Sequence, residues 1–267
     1  MAVKALSNPE WLNLALEWER NGRRLVTIDE LEARHGRAAY NIASRLTHRG
    51  VLSRLGQGIY AVKPLRSLGR PYSLSPLAAV GELLKGELYY CGGLSVLNLH
   101  GLTEQVYPGR VDAFVIERRN RLHLAGAQVF FHAARRKALT VGVIEATVDG
   151  IQVRVSDPER TLIDLLEYPK LGGGAATALE LVSASLPRIS APKLVKYARQ
   201  LAHATTCRRL GFILEAQGLP ESIWQPLLSS RRGVAHGSAL VRDAPKRGPY
   251  NSRWRLSVNH DISSTVP

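Results

Sequence analysis

Arg37, Asn41, Ser44, Arg45 and His48 are spaced so that they gather on one stripe of an α-helix, with Tyr40 at its margin. Side chains of these types read nucleic acid: Arg hydrogen-bonds guanine, Asn adenine and Ser either, and the cations also meet phosphate. The opposite stripe, Ala38, Ala39, Ile42, Ala43 and Leu46, is apolar and alanine-rich, which lets neighbouring helices approach closely. The stretch "VLSRLGQGIYAV" follows at once and alternates as a β-hairpin, with Gly56 and Gly58 expected to take the positive φ of a tight loop. Arg54 and Gln57 on that hairpin would meet the adjacent DNA backbone. No Asp or Glu interrupts residues 33–81, which carry eight Arg and Lys. A segment without its own negative charges is suited to a partner that brings them, and phosphates do.

Catalytic patterns are weaker. Gly172-Gly173-Gly174 precedes a helix, but the Lys-Ser/Thr of a phosphate-binding loop is missing, and a turn explains it better. His100, His123 and His132 have no second His at i, i+4, and His100 reads as a capping or core histidine. Arg160 and Asp164 form an i, i+4 pair of modest value. Gly237-Ser238 lacks the Asp-x-Asp that would accompany a nucleotidyltransferase site. The expectation is a protein that is not an enzyme, with no catalytic residues, metal or cofactor.

The elements that must position the DNA-reading stripe are legible upstream. In "SNPEWLNLALEWERNG", Asn8 is placed to cap a helix and Pro9 suits its first position, while Trp11, Leu12, Ala15, Leu16 and Trp18 form its apolar face. Thr27 and Glu30 make a capping box ahead of a short second helix that Gly36 ends. Helix, Gly turn, longer helix and hairpin together read as a winged helix-turn-helix. The chain is expected to be α+β: residues 1–62 a winged helix-turn-helix DNA-binding domain, 63–76 a Pro-rich linker, and 77–267 a larger mixed α+β domain. In that domain "RVDAFVIER" and "AQVFFHAAR" read as strands, and Asp149-Gly150 marks a hairpin. Asp157-Pro158 starts a helix, residues 177–230 are helical, and "GPYNSRWRLSVN" is a last strand with Trp254 and Leu256 inward.

Composition agrees. The 267 residues hold 36 Lys and Arg against 22 Asp and Glu, a net charge of +14, which favours a polyanionic partner. A second acid-free stretch, 118–144, contains Arg118, Arg119, Arg121, Arg135, Arg136 and Lys137. It reads as a second nucleic-acid surface, for a DNA backbone or RNA, or as solvated loop charge. Cys91 and Cys207 have no CxxC or nearby His partner, which argues against zinc and disulfides. With no apolar run of membrane-spanning length and no leader at the N-terminus, the expected location is the cytoplasm.

Several segments taken together resemble one family. "YYCGGLSVLNLHGLTEQV", "VSDPERTLIDLL", the "RLGQGIYAV" hairpin and "GPYNSRWRLSVN", in that order, are similar to the AbiEi antitoxins of AbiE-type toxin–antitoxin systems. The resemblance implies a bacterial autorepressor whose winged helix binds inverted repeats in its own promoter. It also implies an antitoxin domain opposing a nucleotidyltransferase toxin without a stable complex. A monomer or weak dimer that pairs on DNA is expected. Two alternatives stay open, a plain transcriptional regulator with no toxin and an RNA-binding antitoxin acting through its basic C-terminal domain.

Overall fold

The protein is α+β. The computed structural model describes residues 8–68, 70–107, 109–231, 237–245 and 247–262; residues 1–7, where the absence of a leader was read, lie outside them. The elements begin with α1 (Asn8–Arg20), β1 (Leu25–Thr27), α2 (Ile28–His35), α3 (Ala39–His48), β2 (Leu52–Gly56), β3 (Ile59–Val62) and α4 (Pro76–Leu83). Next come β4 (Tyr89–Gly92), α5 (Leu94–Leu97), β5 (Arg110–Val115), β6 (Leu122–Leu124), β7 (Ala127–Ala133), β8 (Val143–Val148) and β9 (Ile151–Ser156). The remainder is α6 (Pro158–Glu167), α7 (Ala175–Ser185), α8 (Ala191–Leu201), α9 (Ala204–Ala216), α10 (Glu221–Trp224), β10 (Ser238–Ala239), β11 (Tyr250–Asn251) and β12 (Leu256–Ser257). Two compact units result, one of the residues up to 89 with 108–133 and 145–154, the other of 90–107, 134–144 and the residues from 155.

In the first unit, Leu14, Ala15 and Trp18 of α1, Leu31 of α2, and Ala39, Ile42, Ala43 and Leu46 of α3 share one core with Val51, Leu52 and Val62. The capping box forms as read: Thr27 Oγ1 accepts from Glu30 N at 3.3 Å and Thr27 N donates to Glu30 Oε2 at 3.0 Å. A strand the sequence pattern did not suggest, β1, pairs antiparallel with β3 and completes a sheet of order β1-β3-β2. Three residues between two helix signals are too few to show a period of two.

Of the two hairpin glycines, one is as expected and one is not. Gly58 has φ +68°, but Gly56 is not in the positive-φ region. Gly56 is needed for clearance instead, since a Cβ there would lie 2.5 Å from the His123 carbonyl oxygen. The hairpin is bound to its neighbour at this point, with Ala125 N donating to Leu55 O at 2.8 Å. In the same unit, β5 and β7 run parallel and β6 pairs antiparallel with β7. Asp149 (φ +52°) and Gly150 (φ +75°) make the turn between β8 and β9 that the Asp-Gly pair suggested.

The second unit is built around α6, whose residues from Glu159 to Leu166 are all buried. Asp157 caps it, Oδ1 accepting from Arg160 N at 2.8 Å, with Pro158 in the first turn. The Arg160–Asp164 pair is buried and holds more than the modest value expected of an i, i+4 pair. Arg160 Nε donates to Asp164 Oδ1 (2.9 Å), Nη2 to Tyr90 Oη (2.7 Å), and Nη1 to the carbonyls of Val141 (2.7 Å) and Ala138 (2.9 Å). Tyr90 Oη in turn donates to Asp164 Oδ2 at 2.9 Å. The closing segment is two short strands, β11 and β12, with β12 central in the order β10-β12-β11. Trp254 and Leu256 are nevertheless fully buried, and Trp254 meets Trp224 edge-on with centroids 5.8 Å apart.

Candidate nucleic-acid interface

The inner stripe of α3 is sealed into the core, so the helix can present only its other side. Arg37, Tyr40, Asn41, Ser44, Arg45 and His48 are all exposed, as are Arg54 and Gln57 on the hairpin. Arg37 lies in the 3-10 turn Gly36–Ala38 that leads into α3, one turn earlier than the helix proper. Tyr40 is a large apolar side chain left 62% exposed on this face. Two further exposed neighbours lie on α3 and just after it: Thr47, whose Oγ1 donates to Ala43 O at 2.8 Å, and Arg49, one of the eight basic residues of 33–81, whose guanidinium lies 5.2 Å from the Trp11 ring. The latter contact accounts for an aromatic residue on the outer part of α1.

Three arginines of the same unit differ from those of this face in charge pairing. Arg23 pairs with Glu30, Arg24 with Glu19 and Arg34 with Glu17, the last bidentate at 2.8 Å. Arg37, Arg45 and Arg54 form no ion pair with any described residue; Arg54 Nε donates only to Gly56 O at 3.2 Å. Glu17, Glu19 and Glu30 are thus engaged by arginines outside the stripe.

The second basic stretch is divided. Arg118, Arg119 and Arg121 follow β5 in the first unit, while Arg135, Arg136 and Lys137 belong to the second; all six are exposed. Arg119 is paired with Glu87.

Residues 13–63 match the family described as "Transcriptional regulator, AbiEi antitoxin". The AbiEi match covers α3 and the whole hairpin, and so every residue proposed on that face. The other segments that resembled AbiEi antitoxins lie outside the match. The fold is similar to the crystal structure of the RV2827C protein from Mycobacterium tuberculosis, with a TM-score of 0.62 and 17% identity, covering 96% of this chain and 93% of that one. No curated protein matches.

Acidic groups of the second unit are held in fixed roles. Asp157 Oδ2 accepts from Tyr197 Oη (2.8 Å) and pairs with Lys193 (3.0 Å), which also reaches Glu159 at 2.9 Å. Glu159 Oε1 accepts from Ser190 N at 2.8 Å. Among the described residues no cluster of three His, Cys, Asp or Glu could hold a metal ion, and no helix is long and apolar enough to cross a membrane.

His100 sits just beyond α5, in the turn that ends it, not inside a longer helix. Its Nε2–H donates to Ser156 O at 2.6 Å. Burial lowers its pKa below the ordinary imidazole value, against the opposing pull of that bond and of Asp157 and Glu159. The unfolded chain therefore binds this proton more readily than the folded one, so stability present above about pH 6.5 declines as pH falls toward the folded-state pKa. Urea midpoints should drop between neutral and mildly acidic pH, and less steeply in His100→Gln.

Proposed function

We propose that the protein is a sequence-specific DNA-binding regulator of AbiEi type that represses its own operon through a winged helix-turn-helix. The observation that carries this reading is the contrast in pairing: Arg37, Arg45 and Arg54 are exposed without carboxylates, whereas Arg23, Arg24 and Arg34 beside them are neutralised. In the proposed mode α3 enters the major groove, where Asn41, Ser44 and Arg45 meet base edges, with Tyr40 and His48 flanking them. Arg37, Arg54 and Gln57 contact the adjacent backbone. Inverted repeats in the promoter would bring two copies together on DNA. The match to an antitoxin family supports an opposing role toward a nucleotidyltransferase toxin encoded alongside, exerted without a stable complex. The protein acts in this reading by binding and not by catalysis, in keeping with the structural engagement of Asp157, Glu159 and Asp164.

The test is a gel shift on the DNA upstream of its own gene, with random DNA as competitor. Wild type should retard the promoter specifically, and Arg45→Ala should lose that retardation by roughly ten- to hundredfold. Equal binding to promoter and random DNA would reduce the face to a basic surface and defeat the proposal.

A further inference from the structure

We propose that the sheet of the first unit carries a separate site for an unpaired nucleobase and its adjoining phosphate, presented by Arg110 and His132 on a shared Asp112 anchor. The parallel register of β5 and β7 sets Arg110 opposite Gln128, Asp112 opposite Phe130 and Phe114 opposite His132, so these six side chains share one sheet face. Asp112 is 1% exposed, and its carboxylate accepts from Arg110 Nε (2.7 Å), Arg110 Nη2 (2.8 Å) and His132 Nε2 (2.8 Å). One buried charge thereby fixes the planes of two outer groups. Each plane is also backed by a ring: the Arg110 guanidinium lies 4.5 Å from the Phe130 centroid, and the His132 ring is 5.0 Å from that of Phe114.

Val111, Ala113, Val115 and Val129 on the reverse side are buried, as are Asp112 and Phe114 on the near side. On the near side the Arg110 and His132 side chains remain 37% and 34% exposed, and His123 of β6, paired with Gln128, is exposed beside them. A buried carboxylate needs a single cation for neutralisation. Two immobilised planes with open outer faces are what base stacking uses, and a guanidinium fixed flat stacks where an ammonium does not. Arg110 Nη1 makes no hydrogen bond to a described residue, leaving a donor for a phosphate oxygen. Beyond β5, Arg118 and Arg121 are exposed and outside any ion pair with described residues, which supplies the charge a strand backbone requires. Stacked base pairs in a duplex cannot offer their faces to such planes, so the ligand is single-stranded.

The experiment is fluorescence anisotropy of the full chain with labelled single strands of about 12 nucleotides, RNA and DNA of one sequence. Wild type, His132→Ala and Arg110→Lys are compared at about 0.15 M salt, with promoter-duplex binding and thermal unfolding as controls. Wild type should bind the strands, and each substitution should weaken binding roughly five- to hundredfold while duplex binding stays unchanged. Tighter binding of RNA would identify the 2′-hydroxyl as part of the ligand, and equal binding would identify stacking as sufficient; both support the site. No strand binding, or strand binding equal in wild type and both variants, overturns it. So does full displacement by inorganic phosphate, which would reduce the site to bare charge. If Arg110→Lys disturbs folding, His132→Ala decides alone, because it leaves the Arg110–Asp112 pair intact.

Discussion

Replacing Arg37, Arg45 and Arg54 together by Ala is expected to abolish promoter retention at physiological salt, with a loss of about a thousandfold, while leaving the fold untouched. Each side chain is exposed and outside any ion pair with a described residue, and the one internal bond lost, Arg54 Nε to Gly56 O, is solvent-exposed, so stability should change by less than about 0.5 kcal/mol. In the complex each would release counterions. If about six phosphates are neutralised, log K falls against log salt with a slope near −5; losing three contacts should bring the slope to about −3. Arg34→Ala is the control, because Glu17 already neutralises that charge at 2.8 Å. Its effect on binding should be severalfold at most. A triple variant with an undiminished slope would mean that the phosphates are met by another surface.

The largest effect on stability is expected at Asp164. Asp164→Ala removes the acceptor of both Arg160 Nε and Tyr90 Oη, leaving a guanidinium that is 3% exposed without its counter-charge. Breaking a buried pair from one side costs about 3–5 kcal/mol, which for a chain of this size corresponds to a fall in melting temperature of about 10 °C. Replacing both partners by apolar residues of similar volume, Arg160→Met with Asp164→Leu, should recover much of that loss. If the double variant is no more stable than Asp164→Ala, the carbonyls of Ala138 and Val141 that Arg160 holds are the larger part of its role. Duplex binding should persist in both variants at low temperature, because the core behind α3 is made of residues within 11–68, distant in sequence from Asp164.

The buried and exposed stripes of α3 were legible because an amphipathic helix announces its geometry within ten residues. Ala39, Ile42, Ala43 and Leu46 are buried, and the residues between them are exposed, as the helical period requires. The capping pairs at Thr27 and Asp157 and the Asp149-Gly150 turn were legible for the same reason: each is a contact of short sequence separation. What stayed hidden depended on distant partners. Asp112 and His132 are 20 residues apart and meet only because two strands run parallel. Arg160 and Asp164 were legible only as a local i, i+4 pair, because Tyr90, which joins them in the interior, is 70 residues from Arg160. Gly56 was read for its backbone freedom, whereas its value lies in the closeness of His123, 67 positions away in the chain.

That closeness has a consequence for the energetics of docking. A hairpin projecting freely would sample many orientations, and fixing each backbone residue on contact would consume about 1–2 kcal/mol of any attraction it gained. Here the Leu55 carbonyl is already held by Ala125, and Gly56 lies flush against β6. Arg54 and Gln57 are therefore delivered by a braced strut, and the ordering that binding would otherwise demand is completed when the chain folds.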